Sequence, residues 1–382
     1  MSRSRVLVCA VALLGAVALL VFLNARAHRG RSAGTAVEKL IGDLSSPDVA
    51  TRASAARRLG EMGPRAASAV PALAALLGDQ SEVGDGDLLG EKAGRALGKV
   101  GGPAADALLE AVSSKDPYVR NAAIQGLAFT TDSRATGPLH KALHDAVERV
   151  RWSAALSLGY RNDRTAASEL VALLRSDRSA TVRGAAATTL GVTKTKGSVD
   201  GLVAALRDRD ASVRESAALG LGSIGDPRGV PPLIALLRDK MPGVRLAATG
   251  SLGAFTADPR VLEPLIGALR DEEIGDIGGG EAWGRSKIGS VAAGALAKSR
   301  DPRLVPRMVE LLKDDNASVR WRAAWVLGMK HDRAAVGPLT AALRDKDGRV
   351  RGAAATALQE VRGQAPQDLP AERGLASDGR GH

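Results

Sequence analysis

The sequence is short of aromatic residues, has a single cysteine and lacks repeated His-Glu pairs. Phe, Trp and Tyr together supply 2% of its 382 residues. One compact domain of that length would need a large core, and bulky rings usually fill such cores. Their scarcity favours an elongated array, in which each segment packs only on its neighbours. Cys9 is the only cysteine, and it lies inside the N-terminal apolar run. A disulfide framework, a thiolate zinc site and a cysteine nucleophile are therefore closed to the rest of the chain. A lipoprotein signal is a poor reading as well, because Val6-Leu7-Val8 lacks the small residues expected before its cysteine. No phosphate-binding loop and no catalytic serine context is present. The formal charge is +11, with Arg3, Arg5 and Arg26 in the leader. That mild excess permits acidic partners without requiring nucleic acid.

Arg3 and Arg5 precede an unbroken apolar run from Val6 to Leu23, followed by Asn24 and Ala25-Arg26-Ala27. A basic start, an apolar stretch and a small-x-small end describe a signal peptide over residues 1–27. The run has 18 residues, at the lower edge of a membrane span, so an uncleaved signal anchor is the other reading. The expected location is accordingly a membrane, held by a single N-terminal helix, or the periplasm or exterior if the leader is cleaved. Residues 28–36 read as a linker.

The remainder is repetitive. The phrase Val-Arg-x-x-Ala-Ala-x-x-Leu-Gly returns ten times with drift, its Arg position falling at Arg52, Gly90, Arg120, Arg151, Arg183, Arg214, Arg245, Gly289, Arg320 and Arg351. Seven of the nine spacings are 30 to 32 residues, and the other two are 38 and 44. Three positions on, the residue is always Ala, from Ala55 to Ala354; seven positions on it is always Leu, from Leu59 to Leu358. Val, Ala and Leu in steps of four share one helical face, and the small Ala lets two helix axes approach. This segment is helix A. Asp116-Pro117 reads as its N-cap and first residue, and Gly at plus eight, as in Gly159, Gly191 and Gly222, as its stop. A turn of the type Asp226-Pro227-Arg228 leads into a second apolar helix, such as Val230 to Arg238, which is helix B. A lone B helix, Val37 to Leu44, opens the array, and an A helix closes it. One short pair has too little apolar surface to fold alone, so each must bury a face against both neighbours.

Gly225-Asp226-Pro227-Arg228-x-Val230-Pro231-Pro232-Leu233, with Val244-Arg245-x-x-Ala248, resembles the short HEAT-like repeat of phycobilisome lyases over residues 37–362. The resemblance implies an all-α, α–α superhelix of about ten two-helix repeats, and a ladder of Asp–Arg contacts tying loops between repeats. It says little of function, because such repeats serve lyases, metal hydroxylases, sensors and scaffolds alike. Residues 363–382 read as a disordered tail.

Three features could bind a partner. Arg175, Arg207, Arg238, Arg270, Lys313 and Arg344 close successive B helices and are expected to form a basic rail, or else to interact with helix C-terminal dipoles. Two acidic, Gly-rich insertions, Asp79 to Asp87 and Asp271 to Lys287, precede the repeats where Val-Arg has become Leu89-Gly90 and Ile288-Gly289. The larger holds Glu272, Glu273, Asp276 and Trp283, and long loops on rigid scaffolds often bind. Trp321 and Trp325 lie four apart on one A helix, filling a widened groove or forming a contact patch. His140 and His144 share metal-chelating spacing but have no evident third ligand.

The functional expectation is a non-catalytic protein–protein interaction scaffold displayed at the cell envelope, with no cofactor and no metal. A chromophore-lyase-like enzyme or accessory is one alternative, and a nucleic-acid-binding HEAT-like protein the other. Protein partners and the membrane are the expected contacts; nucleic acid is not.

Overall fold

A computed structural model describes residues 34–84, 86–276 and 285–363. The chain divides into two compact units, Met1–Leu173 and Leu174–His382. In the first, the A helices are Val49–Met62, Leu89–Val100, Pro117–Leu127 and Glu148–Tyr160, and the B helices are residues 34–43, Val70–Ala75, Pro103–Ala111 and Thr136–Ala142. In the second, the A helices are Ala180–Val192, Ala211–Ile224, Pro242–Leu252, Ile288–Lys298, Ala317–Lys330 and Gly348–Arg362. Its B helices are Val199–Ala205, Val230–Leu236, Leu262–Ala268, Leu304–Leu311 and Val336–Ala342. The unit boundary falls within the B helix Ala167–Ser176. Within each unit, A helices pack side by side and B helices pack against the A helix that follows. The architecture is the expected all-α stack of helix pairs.

The repeat positions account for the core. All ten alanines from Ala55 to Ala354 and all ten leucines from Leu59 to Leu358 are buried. Asp48, Asp116, Asp210 and Asp347 cap A helices by accepting a backbone N–H from the first turn, a donor the helix itself leaves unpaired. The turns before B helices close in the same way, as where Asp226 accepts the Arg228 amide at 3.0 Å.

Several expectations are corrected. Glycine at plus eight caps helix A at Gly253 but not at the glycines expected to do so: Gly159, Gly191 and Gly222 lie inside their helices. The last two mark close approach instead. A Cβ on Gly191 would stand 2.6 Å from the Cα of Gly220, and one on Gly222 2.7 Å from the Cβ of Ser251. The left-handed stop falls later, at Gly225 with φ 71°. Residues 34–36 of the expected linker are helical and continuous with the B helix that follows. The expected membrane location is also overturned, since among the described residues no helix is long and apolar enough to cross a membrane. The leader of residues 1–27 and the tail from residue 364 lie outside the described residues.

Both insertions close as antiparallel β-hairpins: β1 (Glu82–Val83) with β2 (Asp87–Leu88), and β3 (Ile274–Asp276) with β4 (Arg285–Lys287). Each runs straight into its A helix, whose first amides are held by the preceding loop. Gly90 donates to the Asp79 carbonyl, and Gly289 to that of Asp271, both at 2.9 Å.

Candidate interaction surfaces

The recurring arginine of helix A points back into the repeat and forward to the next. Arg214 donates through Nη1 to the carbonyl of Asp208, and through Nε and Nη2 to both carboxylate oxygens of Asp239 at 2.8 and 2.9 Å. Arg120 does the same with Asp145, Arg183 with Asp208, Arg245 with Asp271, and Arg320 with Asp345. The partner is thus not the aspartate just before the arginine in sequence, such as Asp116, which caps the helix, but one about a repeat further on. Bidentate, charge-assisted pairing of this kind fixes geometry as well as adding stability. The electrostatics agree. Burial pushes the Asp208 and Asp239 carboxyls up, but hydrogen bonds from the ladder arginine and a backbone amide more than reverse this and hold both below the ordinary range.

The ladder breaks at Gly90 and Gly289, and a different side chain enters at each break. Beside Gly90 the carboxylate of Glu91, 3% exposed, receives Asn121 at 2.7 Å and Arg149 at 2.7 Å. Beside Gly289 lies Arg322, 2% exposed, whose Nη1 donates to the Leu269 carbonyl at 2.6 Å and to Glu272 at 2.5 Å. Its Nε finds no partner among the described residues.

Each unit carries a groove next to its hairpin. In the second unit, a groove of about 710 Å³ runs from Glu272 and Lys287 across Trp321, Trp325 and Met329 to the last A helix. Trp325 is 39% exposed and Met329 49%. In the first unit, a groove of about 340 Å³ lies between Asp87 of the hairpin and Trp152, Phe129 and Tyr160. Trp152 and Trp321 line these grooves, each partly exposed. Aligned on the ladder position, the residue one place on is Glu91, Asn121, Trp152, Glu215, Leu246 and Trp321 in different repeats. That variable column, two places before the invariant alanine, is the signal by which Glu91 could have been found.

Among the expected site residues, Arg207, Arg238, Lys313 and Arg344 are exposed in the turn after their B helices, and Arg175 is exposed near the end of its own. Arg207 and Arg238 line one small notch of about 250 Å³. Arg270 differs, pairing with Asp314 of the following repeat. Glu272 is held by Arg322 and by Lys287 at 3.4 Å, and Glu273 lies 3.3 Å from Arg245. Asp276 is exposed on β3, and Trp283 lies outside the described residues. His140 meets Glu169 through Nδ1, with Asp163 at 3.4 Å from Nε2, while His144 stands 3.6 Å from Glu169. Among the described residues, no group of three or more His, Cys, Asp or Glu side chains is arranged to hold a metal ion.

Comparison with known proteins bears on the fold. The family model described as HEAT repeats matches residues 37–128, 105–191, 137–214, 199–277, 286–359 and 305–379. Kap95p bound to RanGDP is similar at 15% identity and a TM-score of 0.60, over 86% of this chain and 50% of that one. Importin beta is similar at 15% identity and a TM-score of 0.59, over 85% and 50%. These likenesses are of fold alone, and the chain spans about half the length of either. The CpcE–CpcF complex of phycocyanin lyase from Nostoc sp. PCC7120 has 25% identity over 60% of this chain and 92% of that one, with a TM-score of 0.37, too low to support a functional inference. No curated protein matches the chain.

Proposed function

This chain belongs to the HEAT repeat family, and from that premise we propose that it is a non-catalytic scaffold whose protein partners seat in the groove beside the second hairpin. The supporting observation is the pairing of Trp325 with Met329. Both are large apolar side chains on one A helix, half out of the core, in a groove edged by Glu272, Lys287 and Arg349. Interfaces concentrate their binding energy in such aromatic and arginine anchors, ringed by polar residues. The lower part of the helix is secured by the ladder and by Arg322, so the groove is rigid and little ordering cost attends binding.

The test is crosslinking of the full chain in a lysate and mass-spectrometric identification of partners. The purified partner is then titrated against wild type and the Trp325→Ala and Met329→Ala variants. Both side chains are partly exposed, so the fold tolerates truncation. The proposal expects at least about a tenfold loss of affinity for Trp325→Ala. Wild-type affinity in both variants would place the partner elsewhere.

A further inference from the structure

In the second unit, B helices are followed by a cation and an aspartate: Arg207-Asp208, Arg238-Asp239, Arg270-Asp271, Lys313-Asp314 and Arg344-Asp345. Read locally, each pair cancels. The structure separates them. Asp208, Asp239, Asp271 and Asp345 turn inward and are neutralised by Arg183, Arg214, Arg245 and Arg320 of the preceding A helices. Arg207, Arg238, Lys313 and Arg344 stay exposed and form no ion pair among the described residues. Arg270 is the exception and follows from the same rule. Gly289 supplies no ladder arginine to Asp314, and Arg270 takes that place. Arg209, Lys240 and Lys346 add exposed positive charge beside three of these rungs. The carboxylates left nearby are Asp210 and Asp347, which cap their A helices by accepting the Ser212 and Arg349 amides, and Asp315.

Successive rungs are neighbours. Arg207 and Arg238 flank one notch floored by Val203, Pro232 and Ala235, and Arg270 reaches the loop of the next repeat. We infer that this edge binds an acidic polypeptide in the extended polyproline II conformation, with a carboxylate at every third residue. Packed helix layers repeat at about 8–10 Å. A polyproline II chain rises ~3.1 Å per residue with three residues per turn, so every third side chain faces the same way about 9 Å apart. A β-strand brings same-face side chains round at about 6.6 Å, out of step with the layers. An α-helix returns neighbouring side chains to one face about 5–6 Å apart, also out of step with the layers. The apolar floor between the two arginines suits proline or another small side chain between carboxylates. Arginine is the stronger partner at most rungs because its planar fork donates two hydrogen bonds to one carboxylate.

This surface is independent of the tryptophan groove, so either reading can fail without the other. The test is fluorescence anisotropy of the full chain with a labelled peptide of about six Glu-Pro-Pro units, against a peptide of equal composition with its glutamates in one block. The expected result is at least about a tenfold preference for the spaced peptide, weakened by added salt. Charge reversal at Arg207, Arg238 and Arg344 together should abolish that preference while thermal unfolding stays cooperative and falls only slightly, since the three contribute no more than helix-end dipole interactions. Equal binding of the two peptides overturns the proposal. So does unchanged binding by the charge-reversal variant, or tighter binding of a single-stranded oligonucleotide or an anionic vesicle than of the spaced peptide.

Discussion

Gly289 leaves the space that the guanidinium of Arg322 occupies: a Cβ built on Gly289 would stand 2.7 Å from Nη1 of Arg322 and 2.7 Å from the Leu269 carbonyl oxygen. Where the ladder arginine is lost, an arginine from the next A helix enters and donates to the hairpin residue Glu272. The exchange couples the second insertion to the core of the repeat, and the hairpin is part of the fold rather than an appendage.

Gly289→Ala should therefore destabilise the second unit by about 1–3 kcal/mol, the usual cost of overpacking a filled site. Arg322→Ala should be costly for another reason, leaving Glu272 without its best-buried partner. Because the two sites touch, the double variant should deviate from additivity by about 0.5 kcal/mol or more. Denaturant unfolding of the four proteins measures it, and strict additivity would count against the coupling.

The ladder and the edge cations should separate cleanly by mutation. Asp208→Ala strips Arg183 of its carboxylate in a setting where that arginine side chain is 6% exposed. A loss of about 1.5–3 kcal/mol is expected, the range for a hydrogen-bonded charged group. Arg207→Ala, one residue away but in solvent, should stay within about 0.5 kcal/mol. Thermal melts of the two variants side by side check the contrast.

The ladder also sets an acid limit. Arg320 holds Asp345 below the ordinary carboxylate value, and Asp208 and Asp239 are lowered in net despite their burial. Unfolded, these carboxyls take up protons near 3.8; folded, they do so only at lower pH. Their stabilisation is therefore complete above that value and drains away as pH falls through the folded values. Melting temperature should hold level from neutral pH to about pH 5 as far as these groups are concerned, then drop. Asp208→Asn with Asp239→Asn should lower the plateau and flatten the drop, and an unchanged acid slope would contradict the assignment.

Glycines of two kinds should respond with opposite sign. A Cβ on Gly98 would stand 2.1 Å from the Gly126 carbonyl oxygen, whereas one on Gly294 meets nothing within 4 Å. Gly98→Ala should destabilise by about 1–3 kcal/mol. Gly294→Ala, inside the helix Ile288–Lys298, should stabilise by about 0.5–1 kcal/mol through helix propensity. Chemical denaturation of both variants distinguishes space from conformational freedom as the reason for glycine.

The sequence determined the helices, their pairing into repeats, and the residues that face the core. That information is local: a step of four residues encodes a helical face, and Ala at plus three with Leu at plus seven writes the same face ten times over. It also placed both insertions, as breaks in a regular count. Only the tertiary structure decided that Arg120 pairs with Asp145 and not Asp116, that Gly222 is a contact and not a stop, and that the guanidinium of Arg322 fills the space left beside Gly289. It decided too that the edge cations are stripped of the aspartates beside them. Each of these joins residues some 25 to 50 positions apart. Such partners are chosen by how one layer settles on the next, and no periodicity within a single helix records that choice.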